Sequence, residues 1–111
     1  MMYPDDVNGD VFRRLEEHNF DFSKEYPVDF YAVYATEEEA DSIAKLYVQD
    51  WKNGGNFKNI ETRPCEKGGM ELELVPIMKL TYENIVGFEN TLAERTSKVN
   101  GYLDGWGVLG D

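Results

Sequence analysis

Between residues 28 and 109 the sequence runs through strand-like and helix-like periodicity in one order: strand, helix, strand, strand, helix, strand. That order limits the fold more than composition does. "VDFYAVYA" (28–35) is rich in aromatic and β-branched residues and reads as a strand. Thr36-Glu37-Glu38-Glu39 then forms a capping box, with the Thr hydroxyl accepting from the third helical amide and Glu39 reaching back. Ala40, Ile43, Ala44, Tyr47 and Trp51 follow at steps of three and four as one apolar stripe, and Asn53-Gly54-Gly55 closes the helix. Strands at 57–66 and 70–80 flank Lys67-Gly68-Gly69. A three-residue loop there pairs Glu66 with Met70, setting Leu72 against Pro64, Leu74 against Thr62 and Glu73 against Arg63. Pro64 and Pro76 cannot donate ladder hydrogen bonds, so each marks an edge or a bulge. Thr81 caps a second helix with Ile85, Phe88, Leu92 and Val99 as its stripe, interrupted by Arg95 and Thr96. Asn100-Gly101 ends it.

Each β-α-β crossover must be right-handed, and the central hairpin is antiparallel. The simplest solution is an α+β, ferredoxin-like sandwich: four antiparallel strands with both helices on one face and the other face open. An extra N-terminal helix is expected within residues 5–20, from Val11, Phe12, Leu15 and Phe20. It either covers part of the open face or extends the helical layer. Residues 1–111 read as one domain with no repeat or linker. A chain of this size buries roughly 65% of its unfolded surface, enough for a core without staples.

The last segment, "GYLDGWGVLGD" (101–111), sets a tryptophan between two glycines. Strict alternation sends Tyr102, Asp104, Trp106 and Val108 to one face and Leu103, Gly105, Gly107 and Leu109 to the other. With the bare glycines beneath the helices, Trp106 and Tyr102 stand on the open face; the alternative places Trp106 in the core, where a tryptophan near a domain end more often lies. The candidate contact residues are therefore Tyr102, Asp104 and Trp106, joined on that face by Glu71 and Glu73.

Twenty-two acidic residues oppose eleven basic ones, a net charge of −11. Such a field repels nucleic acid, which binds through Lys and Arg, and either steers a basic partner inwards or serves solubility alone. Glu71 and Glu73 also stand where an RNA-stacking sheet needs cations, so direct nucleic-acid binding is not expected. Cys65 is the single cysteine, which rules out an internal disulfide and a cysteine zinc site and fits a reducing compartment. No apolar run approaches the roughly 20 residues of a membrane helix, and Met1–Asp6 lacks signal-peptide order. The expected location is the cytoplasm.

Neither His18 nor Cys65 has the spacing of a catalytic pair. Glu37–Glu39 with Asp41 suit a helix start rather than a metal, and no phosphate or calcium loop is present. No cofactor or metal is expected. One function class left is a protein-binding regulator. Another is a small-ligand-binding or self-associating sandwich, monomer or homodimer, with Trp106, Tyr102 and Val33 as an apolar patch needing cover. A carboxylate enzyme using Glu71 and Glu73 is a third, but no acid/base asymmetry is readable.

A helix like "VFRRLEEHNFDFS", an aromatic strand running into "ATEEEADSIAKL", and the close "NGYLDGWGVLG" together resemble the regulator of ribonuclease activity B (RraB) family. Tyr102 and Asp104-Gly105-Trp106-Gly107 carry the most specific part, and the resemblance spans roughly residues 7 to 109. It implies the sandwich fold and a small acidic protein that binds the endoribonuclease RNase E outside its catalytic domain and lowers RNA cleavage. It implies no catalytic residues.

Overall fold

The computed structural model describes residues 7–17, 21–66 and 68–108. Three helices and four strands follow in order: α1 (Val7–Glu17), β1 (Glu25–Tyr34), α2 (Glu37–Lys52), β2 (Phe57–Pro64), β3 (Met70–Lys79), α3 (Tyr82–Thr96) and β4 (Gly101–Val108). The strands form one α+β sheet in the order β2-β3-β1-β4, antiparallel at every neighbouring pair. Each of α2 and α3 thus joins two strands separated by a third. Phe20 and His18 lie outside the described residues.

Helix starts follow from their caps. Thr36 Oγ1 accepts from the Glu39 amide, and Thr81 Oγ1 accepts from the Asn84 amide at 3.1 Å. Glu39 reaches back to its cap as expected, one carboxylate oxygen taking the Thr36 hydroxyl at 3.0 Å, and the other takes the Asn100 amide at 2.7 Å. The α2 cap therefore also fixes the entry to β4.

The helices share one face of the sheet. Val28, Phe30, Ala32 and Tyr34 point into it from β1 and are buried, as are Leu72 and Leu74 of β3. Ala40, Ile43 and Tyr47 of α2 and Ile85 and Leu92 of α3 cover them. Phe30 meets Phe88 with ring centroids 4.3 Å apart. The two interruptions in the α3 stripe are themselves packed. Thr96 is buried with its hydroxyl 2.7 Å from that of Tyr34, and Arg95 lies 4.5 Å over the Tyr47 ring while pairing with Asp50. Helix α1 extends this layer beside α3: Phe12 is fully buried against Tyr82, Trp106 and Phe22.

Two expectations of register are corrected. In the central hairpin Pro64 pairs with Met70 and Arg63 with Glu71, not Glu73, although the expected Arg63–Glu73 ion pair still forms on the diagonal. The strands end two residues earlier than a three-residue loop requires, and the Cys65 amide donates to the Gly69 carbonyl across the turn. A slip of two keeps every side chain on its face. The second correction is larger. In β4, Leu103 pairs with Ala32 and Gly105 with Tyr31, so Asp104 is an extra residue in a bulge, next to Gly105 at φ 113°. The bulge resets the alternation. Pro76 bears out its reading, lying beside the irregularity between Phe57 and Asn59, while Pro64 ends the edge strand β2.

Candidate functional site

The sheet face away from the helices is built in rows set by the ladder. One row runs Arg63, Glu71, Val33, Tyr102; the next runs Glu61, Glu73, Tyr31, Gly105. Asp29 follows along β1 opposite Gly107. The structure therefore divides the five sequence candidates. Glu71, Glu73 and Tyr102 share this face, and Asp104 joins them through the bulge, lining a concavity of ≈ 480 Å³ with Val33, Cys65, Glu66, Glu71 and Tyr102. No lysine or arginine is among its described lining residues. Tyr102 is the most exposed large hydrophobic side chain of the described residues, at 61%.

Trp106 is not on this face. Beyond the bulge it pairs with Phe30 on the helical side, its ring 6.1 Å from Phe12 and 6.3 Å from Phe30. Its indole N–H donates to Asn8 Oδ1 at 2.7 Å, and Asn8 Nδ2 donates to Glu89 Oε1 at 2.5 Å. One asparagine on α1 thus ties β4 to α3. The flanking glycines lie on the open face instead, where a Cβ at Gly105 or Gly107 meets nothing.

Electrostatics on the face are crowded. Glu61 sits directly opposite Glu73, an unfavourable like-charge pair that Arg63 offsets. Its guanidinium reaches Glu71 Oε1 at 2.9 Å, Glu73 Oε1 at 3.1 Å and Glu61 Oε2 at 3.1 Å. Partial burial works against that charge, but the bonds from Glu73 and Glu71 outweigh it and hold the group protonated above its ordinary range. Tyr31 stands between two carboxylates, its hydroxyl 2.9 Å from Asp29 Oδ2 and 3.2 Å from Glu73 Oε2. Desolvation first, and then Asp29, push its phenol well above the usual value.

Asp29 and Glu66 are the residues that sequence reasoning missed. The signal was in "VDFYAVYA", where an aspartate alternates with core positions of a strand otherwise rich in apolar residues. Among the described residues no group of His, Cys, Asp and Glu is arranged to hold a metal ion.

What the fold and this face define is a small α+β domain with an acidic sheet surface open at one end. The chain belongs to the RraB family, described as regulator of ribonuclease activity B, whose model matches residues 5–108. A search of curated proteins finds no match. Among the described residues no helix is long and apolar enough to cross a membrane.

Proposed function

We propose that this protein binds RNase E, docking its acidic sheet end on a basic noncatalytic segment of the enzyme and modulating RNA decay. The observation that carries the proposal is the convergence of exposed Tyr102 with Glu66, Glu71 and Asp104 around one concavity, in a chain of a ribonuclease-regulator family. A guanidinium or ammonium entering there meets carboxylates and the face of an aromatic ring, both of which favour it. Opposite charge speeds the encounter and competes with RNA for the same basic segment. The carboxylates act as contact groups, with no catalytic role. The lone Cys65 fits the cytoplasm.

The self-association reading loses its largest member, since Trp106 is packed beneath α1 and leaves only Tyr102 and Val33 as an apolar pair. The test is binding of the purified protein to the noncatalytic region of its host's RNase E at low and high salt. Wild type is compared with Tyr102→Ala and with the double variant Glu71→Gln, Asp104→Asn. Binding is expected to weaken with salt and to fall in both variants while their folding is unchanged. Absence of wild-type binding at low salt refutes the proposal.

A further inference from the structure

The proposed docking face is one hydrogen short. Asp29 Oδ2, the Tyr31 hydroxyl and Glu73 Oε2 lie in a row, separated by 2.9 Å and 3.2 Å. Two such oxygen–oxygen contacts need two hydrogens, and a phenol supplies one. With both carboxyls ionised, the hydroxyl satisfies one and leaves the other facing it lone pair to lone pair.

The deficit falls on Asp29. Glu73 has compensation elsewhere, because its Oε1 is held by Arg63. Asp29 is 5% exposed, and its Oδ1 has no hydrogen-bond partner. A lone buried carboxylate is costly. A proton on Oδ2 resolves the row: Asp29 donates to Tyr31, Tyr31 donates to Glu73, and Glu73 accepts from Arg63.

The groups acting on Asp29 come from every strand of the sheet. β1 supplies Tyr31, β3 supplies Glu73, β2 supplies Lys58, and β4 offers only uncharged Gly107. The helices lie on the other face. Burial is the largest influence and, with Glu73, raises the Asp29 carboxyl above its ordinary value against the opposing pull of Tyr31 and Lys58.

We propose that Asp29 takes up a proton through the Asp29–Tyr31–Glu73 row as the solution is acidified, and that this proton regulates docking by removing one negative charge from the face shown to a basic partner. The regulation rests on the docking proposed above. Binding is full where Asp29 is ionised and weakens as pH falls through its midpoint. Asp29 lies four residues along β1 from Val33 in the concavity, roughly 13 Å at the strand rise, so the loss of one screened charge changes affinity by less than about twofold.

The test uses the whole protein in two measurements. Carboxyl-carbon NMR of aspartate-labelled wild type reads the Asp29 midpoint without any partner. Binding to the basic noncatalytic RNase E segment is then measured across the same pH range for wild type and Asp29→Asn, a neutral group of the same shape. The expected result is a midpoint above the ordinary value of about 3.9, weaker binding by the variant at neutral pH, and convergence of the two in acid. A midpoint at or below the ordinary value overturns the proton. A raised midpoint with equal binding at neutral pH overturns the regulatory role and leaves the docking standing. If wild type binds nothing at any pH, the docking fails and takes the regulation with it, whatever the midpoint.

Discussion

Trp106→Ala and Tyr102→Ala, made four positions apart on one strand, separate a core role from a surface role. Removing the indole takes away ring packing against Phe12 and Phe30 and frees Asn8 from its 2.7 Å bond, so α1 loses its anchor on β4. Aromatic-to-alanine changes in a core cost about 3–5 kcal/mol, and Trp106 belongs near the lower end because it is only partly buried on an edge strand. At an unfolding entropy of about 2.1 cal/mol/K per residue, a loss of about 3 kcal/mol lowers the melting temperature of this 111-residue chain by about 13 °C. Tyr102 touches no such cluster, and its removal should stay within about 0.5 kcal/mol of wild type. Urea unfolding followed by circular dichroism reads both. If Trp106→Ala unfolds within about 1 kcal/mol of wild type, the indole is not in the core and the bulge at Asp104 does not reset the strand.

Three further outcomes follow from the packing. Gly101→Ala places a methyl 2.4 Å from Tyr34 Cδ1 and 2.9 Å from the Val33 carbonyl oxygen, so a loss of about 1–3 kcal/mol is expected in the same urea assay. Thr96→Val strands the buried Tyr34 hydroxyl at a cost of about 1–3 kcal/mol, whereas adding Tyr34→Phe should recover most of it; a double variant no better than the single one contradicts this. Glu39 is held below its ordinary 4.5 first by the Asn100 amide and then by the Thr36 hydroxyl. A depressed carboxyl stabilises the fold above its unfolded value and loses that contribution as pH falls through the folded one. The urea midpoints of wild type and Glu39→Gln should therefore differ at neutral pH and close up as the solution is acidified below 4.5.

Most of the framework was legible because it rests on local chemistry. Thr36 and Thr81 announce helix starts through their hydroxyls, and the stripes after them name the buried positions Ile43, Tyr47, Ile85 and Leu92. The hairpin register was misjudged by two, yet Glu71 and Glu73 kept their face because strand periodicity is also two. Trp106 was misplaced for the converse reason. A single inserted residue shifts the phase by one, and the phase of β4 is set by its contacts with β1 and α1. Gly105 was the available clue, since an isolated glycine in a strand pattern suggests a bulge. The Glu73–Arg63 pair was legible, but joining Asp29 and Tyr31 to it was beyond sequence, because that links β1 to β3 in an order only the fold defines.

The bulge at Asp104 has a consequence for how such a protein changes over time. Tyr102 and Trp106 are an even number of residues apart, and an unbroken strand would force both to answer to the same neighbours. With the phase broken between them, the residue at 102 meets solvent while the residue at 106 meets α1 and Phe30. A lineage is then free to redraw the tip of its sheet for a new partner while the tryptophan keeps the first helix in place. Affinity and folding become separately adjustable traits on eight consecutive residues.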